Sequence, residues 1–243
     1  MRLVFLNGWA ASSAMLDDFI AQLPFHYELY ILDDLYQFEL AEIVSRIDEL
    51  MTSDTVLMGW SLGGMLALYY ANLSTKKHKP KALVLFNSAA CFLSRIDFTE
   101  GVKCAEFDGL KVVVKQKDTK ALLRLFSHLL VAGSPGHKDD RRLLKRVFNS
   151  EALPSWSVLA KGLDYLENLD LRAILGSIDQ PTLFVLGEKD ALISVSSNLN
   201  LLIRDNFDVD VVSGMGHFPF GVYAEKVTSI IAGYLSSISE TKC

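Results

Sequence analysis

Three residues far apart in the chain have the types needed for nucleophilic acyl transfer: Ser61, Asp190 and His217. Ser61 lies in "VLMGWSLGGMLALYY" (56–70), between an apolar run and a second run with helical spacing, with Gly59 and Gly63 two residues to either side. A serine hydroxyl is a poor nucleophile until a base takes its proton, and that base needs an acid to hold its tautomer. A G-x-S-x-G stretch at a strand-to-helix junction forms a turn too tight for side chains at either glycine. It projects the serine Oγ above the sheet, at the amino end of a helix whose N–H groups point towards it. The same serine could simply cap a helix, but the strand before it and its place in an alternating series favour the nucleophile.

Of the five histidines, His26, His78 and His137 sit in polar, turn-like stretches, and His128 lies in a helical segment. His217, in "SGMGHFPF", directly follows the last strand-like run, where small residues let a loop approach the site. Asp190, in "LFVLGEKDALIS", follows the penultimate run, at the strand ends where ligands meet open α/β sheets. Asp179, Asp205, Asp208 and Asp210 are expected to precede strands and to lie at the opposite edge. The order Ser61, Asp190, His217 is the one found in α/β-hydrolases. An oxyanion hole needs two main-chain donors. Leu62 N–H follows the nucleophile, and Trp9 N–H in "LNGWAASS" is the expected second donor, with Gly8 permitting the turn.

Six elements must carry these residues. "LVFLN" (3–7), "YELYIL" (27–32), "TVLMGW" (55–60), "ALVLFN" (82–87), "TLFVLG" (182–187) and "VDVVSG" (209–214) read as strands, mostly continuous apolar runs suited to parallel strands covered on both faces. Helical patterns fall at about 14–22, 38–51, 62–73, 195–204 and 220–236. The alternation predicts an α/β, mostly parallel doubly wound sheet. It breaks once, after the fourth strand. There "TKALLRLFSHLLV", "KDDRRLLKRVF" and "PSWSVLAKGLDYLENL" predict a helical insertion over 92–168. This lid would cap a core formed by 1–91 and 169–243. "GSPGHKDD" reads as a turn leading into the acidic first turn of a helix.

Bulk composition narrows the function classes. The chain has 243 residues, half of them hydrophobic, and a net charge of −5, which argues against general nucleic-acid binding. No apolar run reaches the ~18 residues a membrane span needs, and "MRLVFLNGW" lacks the features of a signal peptide. Cys91, Cys104 and Cys243 have no metal-ligand spacing and an odd count, so free thiols in a cytoplasmic protein are expected. The charge is unevenly spread. Residues 111–146 hold ten Lys/Arg against three acids, net +7, which leaves fourteen basic and twenty-six acidic residues, net −12, for the rest. A basic patch on an acidic protein suits a strongly acidic macromolecular partner.

The chain resembles the pimeloyl-[acyl-carrier protein] methyl ester esterases of biotin synthesis. The likeness rests on "GW" after the first strand, "GWSLGG" at the elbow, "NSAACFLSRIDF" after the fourth strand, "GLDYLENLDLRAIL", "GEKDALIS" and "GHFPF", and it runs from about residue 3 to 235. The elbow belongs to the whole superfamily, whereas the two stretches that flank the insertion are more specific. The resemblance implies an α/β-hydrolase fold with a triad of Ser61, Asp190 and His217 and oxyanion donors at Trp9 and Leu62. It further implies a lid phenylalanine, Phe126, lining the acyl channel. Lid cations at or near Lys120, Arg124, Lys138 and Arg142 would grip an acidic acyl-carrier protein. Neither metal nor organic cofactor is implied, and a monomer is expected. Three departures stand out: Asn7-Gly8 replaces a common His-Gly, the strands that precede the oxyanion strand are absent, and two lid cations are displaced by about one residue. A short-chain carboxylesterase, a carbon–carbon bond hydrolase or menaquinone-pathway lyase, and a non-catalytic binding protein of the same fold are the competing readings.

Overall fold

The structure is a computed structural model that describes residues 1–33, 35–73, 79–149 and 151–240; His78 and Cys243 lie outside these. Six strands among the described residues form one wholly parallel sheet in the order β2-β1-β3-β4-β5-β6. They are β1 (Arg2–Leu6), β2 (Glu28–Leu32), β3 (Thr55–Trp60), β4 (Ala82–Phe86), β5 (Thr182–Gly187) and β6 (Phe207–Val212). The four inner strands are buried almost throughout, which explains their unbroken apolar runs, while the edge strands β2 and β6 carry part-exposed residues. β6 starts two residues earlier than its sequence pattern predicts. Asp208 thereby joins Asp210 within an edge strand and neither precedes it, because an edge strand tolerates polar side chains on its open face.

β1 sends the chain to β2 on one side, and its other neighbour is β3. Chains leaving neighbouring strands in opposite directions open a crevice at the carboxyl ends of the sheet. The register pairs Leu6 with Gly59, so the loop after β1 runs beside the turn after β3. Behind that turn, α3 (Leu62–Asn72) is apolar on nearly every face and buried along most of its length, as befits a helix enclosed by its own protein. The shorter helices α1 (Asp17–Ile20), α2 (Leu40–Leu50) and α8 (Val195–Leu202), together with the long α9 (Ala224–Glu240), complete the outer layers. Among the described residues no helix is long and apolar enough to cross a membrane.

Among the described residues four α-helices separate β4 from β5: α4 (Cys104–Gln116), α5 (Thr119–Val131), α6 (His137–Val147) and α7 (Trp156–Asn168). Asp118 caps α5 by accepting the Ala121 N–H at 2.9 Å, and Asp139 and Asp140 occupy the first turn of α6. The two stretches that flank these helices meet at their base. Cys91 and Asp170 form a β-bridge, and Leu171 N–H donates to Ala90 O at 2.7 Å. Arg95 donates to Glu167 O at 3.0 Å, and Arg172 reaches both Asp170 at 2.7 Å and Asp97 at 3.0 Å. The Arg172 guanidinium holds both carboxyls below their ordinary range, chiefly by these hydrogen bonds. The residues most specific to the resemblance thus stitch the two ends of this helical segment together.

Candidate active site

The turn after β3 is as tight as its glycines require. A Cβ at Gly59 would come within 2.6 Å of the Gly63 backbone, and one at Gly63 would collide with the Leu6 carbonyl. Ser61 has φ of 54°, a left-handed conformation that costs a non-glycine residue free energy and that the surroundings hold in place. Its N–H donates to Phe86 O at 2.9 Å, while its carbonyl accepts from Gly64 N, Met65 N and Ser88 Oγ at 3.0, 3.2 and 2.8 Å. The main chain of the serine is therefore fixed from both sides, and the side chain is left to face the space above.

His217 and Asp190 come from the loops after β6 and β5 and meet at 2.7 Å, Nδ1 to Oδ2, both fully buried. The other carboxylate oxygen, Oδ1, accepts the N–H groups of Leu192 at 2.8 Å and Ile193 at 3.0 Å. A carboxylate only accepts hydrogen bonds, so this contact assigns the proton to Nδ1 and leaves Nε2 as the basic nitrogen. The ring is steadied by Trp60, whose Nε1–H donates to His217 O at 3.0 Å and whose indole lies 5.8 Å from the imidazole. The two phenylalanines of "GHFPF" act as anchors: Phe220 packs on Trp60, Phe5 and Phe86, and Phe218 on Trp60.

Ser61 and His217 line one small cavity with Gly8, Trp9, Phe92, Leu110, Phe126, Leu129, Leu166 and Leu192. Its volume, about 20 Å³, is room for one water and far less than an acyl chain fills. Among the described residues neither Trp9 N–H nor Leu62 N–H has an acceptor, as two donors kept for a developing oxyanion would require. The Trp9 side chain has a separate task. It is buried, donates from Nε1 to Leu159 O of α7 at 2.8 Å, and meets Phe126 edge-on with ring centroids 5.1 Å apart. Asn7, the departure from His-Gly, is fully buried, donates from Nδ2 to Asp33, and accepts Tyr36 OH at its carbonyl. Burial, reinforced by Asp33, raises the Tyr36 hydroxyl far above its ordinary range, so it stays a donor.

The cations divide. Lys120 and Arg124 line a groove of about 1120 Å³ between α5 and α6, together with His128, Arg141 and Lys145 over an apolar floor that includes Leu123 and Phe148. Lys138 and Arg142 do not line it, and Arg142 is paired with Asp139 at 2.7 Å. The cause is helical phase: Arg141 and Lys145 share one face of α6, and Lys138 and Arg142 share the adjacent one. No group of three or more His, Cys, Asp or Glu side chains able to hold a metal ion occurs among the described residues. Cys91 is buried, which raises its thiol, and Cys104 is exposed; both are free.

Sequence reasoning missed Asn87, a buried residue whose amide bonds to the loops of both Asp190 and His217, and it missed Arg141 and Lys145 as groove residues. A lone Asn after a strand reads as an ordinary turn. The i, i+4 spacing of Arg141 and Lys145 was a usable signal.

Comparison with known proteins agrees with this architecture. The chain is 27% identical to the pimeloyl-[acyl-carrier protein] methyl ester esterase of Xylella fastidiosa (strain 9a5c), over 97% of this chain and 95% of that one. It is 26% identical to the protein of the same name from Wigglesworthia glossinidia brevipalpis, over 90% and 88%. Among solved structures, a bromoperoxidase from Bacillus anthracis superposes with a TM-score of 0.83 at 19% identity, over 97% of this chain and 91% of that one. An esterase from Exiguobacterium antarcticum does so with 0.78 at 22%, over 97% and 92%. The sequence pattern of the alpha/beta hydrolase family matches residues 3–228, and the chain belongs to that family.

Proposed function

We propose that this chain is a serine carboxylesterase that hydrolyses the methyl ester of pimeloyl-[acyl-carrier protein] in biotin synthesis. Ser61 attacks the ester carbonyl while His217 Nε2 takes its proton, and the tetrahedral oxyanion is held by the N–H groups of Trp9 and Leu62. Collapse expels methanol, protonated by His217, and leaves an acyl-enzyme on Ser61. A water activated by the same imidazole then releases the free acid. Asp190 orients the ring and stabilises the imidazolium. The observation that carries the hydrolytic reading is that His217, paired with Asp190 at 2.7 Å, lines the same cavity as Ser61.

The names of the relatives and the cluster of cations in the α5–α6 groove support the carrier-linked substrate. Residues 92–168 then act as a lid, which has to part above Phe126 to admit an acyl chain to a cavity of this size. The test compares methyl pimeloyl-carrier protein with a p-nitrophenyl ester. The proposal expects a clear preference for the carrier-linked ester. Equal specificity constants would reduce it to a short-chain carboxylesterase, and inertness on both would remove the esterase.

A further inference from the structure

The three proposed triad residues stand on loops from three different strands, β3, β5 and β6, and one tripeptide at the end of β4 touches all three loops. Phe86 O accepts the Ser61 N–H at 2.9 Å, and Ser88 Oγ donates to Ser61 O at 2.8 Å. Between them, Asn87 turns away from the nucleophile. Its Nδ2 donates to Gly216 O, one residue before His217, at 2.9 Å. Its Oδ1 accepts the N–H of Gly187, at the start of the Asp190 turn, at 2.7 Å. That turn is closed by Asp190 N–H donating to Gly187 O at 3.1 Å.

Asn87 is wholly buried and has φ of 41°, in the left-handed region that Asn tolerates better than most residues. Its own N–H still completes the ladder to Val185 O at 2.9 Å. The chain then leaves the sheet, and the side-chain oxygen supplies Gly187 with a ladder acceptor where the main chain has turned away. Only a group with a donor and an acceptor on one short stem satisfies both loops at once.

We propose that Asn87 is a positioning residue that sets the spacing of the acid and base loops relative to the nucleophile, with Phe86 and Ser88 fixing the third corner. The inference rests on the triad proposed above and deepens it. A displacement of about 1 Å in such a constellation can cost ~10²-fold in rate.

Asn87→Gly removes the amide and relieves the positive φ, so it isolates the side chain. The expected result is a folded protein whose kcat on a small ester falls at least ~10²-fold with KM little changed. Fluorophosphonate labelling of Ser61 should slow in parallel, and the low-field proton of the His217–Asp190 hydrogen bond should shift or broaden in the NMR spectrum. A purely structural role would lower the melting temperature and leave that proton in place. A kcat within about threefold of the parent, or an unchanged low-field proton, overturns the proposal. Ser61→Ala is measured alongside. If Ser61→Ala stays active, the triad reading fails; if it is dead while Asn87→Gly is unaffected, only the clamp fails. Should Asn87→Gly not fold, the parent answers instead. One Asn87 Nδ2 proton should resist solvent exchange, and rapid exchange of both would overturn the clamp.

Discussion

The floor of the site and the helices above it are built on different principles. On the floor, nearly every polar group beside the proposed triad has a fixed partner: Ser61 is held through its N–H and carbonyl, Asp190 through both oxygens, and His217 through Nδ1 and its carbonyl. Glycines at 59 and 63 leave no room for adjustment. The helices α4–α7 instead meet the floor through isolated hydrogen bonds: Trp9 to Leu159 O, Phe218 N–H to Leu130 O at 3.0 Å, and Val222 N–H to Asp140 at 2.9 Å. Tyr165 OH on α7 also donates to Phe38 O at 2.5 Å, Lys161 pairs with Glu39, and the outward groove carries Lys120, Arg124, Arg141 and Lys145. Bond-making chemistry tolerates little positional error, whereas capture of a flexible, charged substrate benefits from an adjustable cover. The floor is over-determined and the cover is not.

The largest expected effects fall on the floor. Ser61→Ala and His217→Ala should each reduce kcat on any ester by up to ~10⁶-fold, the scale seen for a serine protease triad, because the two act as a unit. The melting temperature of Ser61→Ala should hardly change, since one oxygen facing a cavity is removed. Steady-state assays with both a small and a carrier-linked ester check this, and residual turnover near the parent's in either variant would sink the mechanism. Asp190→Asn keeps the shape but offers Nδ1 a donor, which favours the wrong tautomer and should lower kcat by about 10⁴-fold. A silent Asp190→Asn alongside a damaging change at another carboxylate would reassign the acid.

Much of the floor was legible in the sequence because local rules and the global fold agree there. Apolar runs four to six residues long marked the inner strands, and the G-x-S-x-G spacing marked a turn whose steric demands are met in the structure. The placement of Asp190 and His217 after the last two strands followed from where strand ends must lie. What could not be read were long-range hydrogen bonds. Nothing local tells that the Trp9 indole bonds to α7, or that Asn87 spans two loops about a hundred residues further on. The division of the cations was hidden for another reason: a shift of one residue on a helix rotates a side chain by about 100°. Thus Lys120 and Arg124 share a groove with Arg141 and Lys145, while Lys138 and Arg142 lie outside it.

That division sharpens the comparison into a moderate effect on the cover alone. Arg124→Glu combined with Arg141→Glu should raise KM for methyl pimeloyl-carrier protein several-fold and flatten its salt dependence. Lys138→Glu combined with Arg142→Glu should do less, because Arg142 is already paired with Asp139. Exposed charges act over about 10 Å at 0.1 M salt and about 3 Å at 1 M, so the contrast should fade as salt rises. Hydrolysis of a small neutral ester should be unchanged in both double variants. Equal losses on both substrates would make the basic groove structural, and equal effects of the two pairs would place the partner on both faces of α6.

The smallest expected effect concerns Asp140, where floor and cover meet. This α6 carboxylate is almost wholly buried, accepts the Val222 N–H at 2.9 Å, and leaves no space for a side chain at Gly221, four residues beyond His217. Burial raises its pKa above the ordinary carboxylate value, although the Val222 hydrogen bond acts in the opposite direction. The folded state therefore binds this proton more readily than the unfolded chain. Its contribution to stability is fully present below the unfolded pKa of about 3.9 and declines as pH rises through the raised folded value. Asp140→Asn keeps an oxygen for Val222 N–H and removes the titration. Urea unfolding of parent and variant across the acid-to-neutral range should show the variant gaining on the parent as pH rises, then a constant difference once the parent carboxyl has ionised. A difference that is flat throughout would mean that contacts at this junction balance the burial of the carboxylate, and one that runs in the parent's favour with rising pH would mean that they outweigh it.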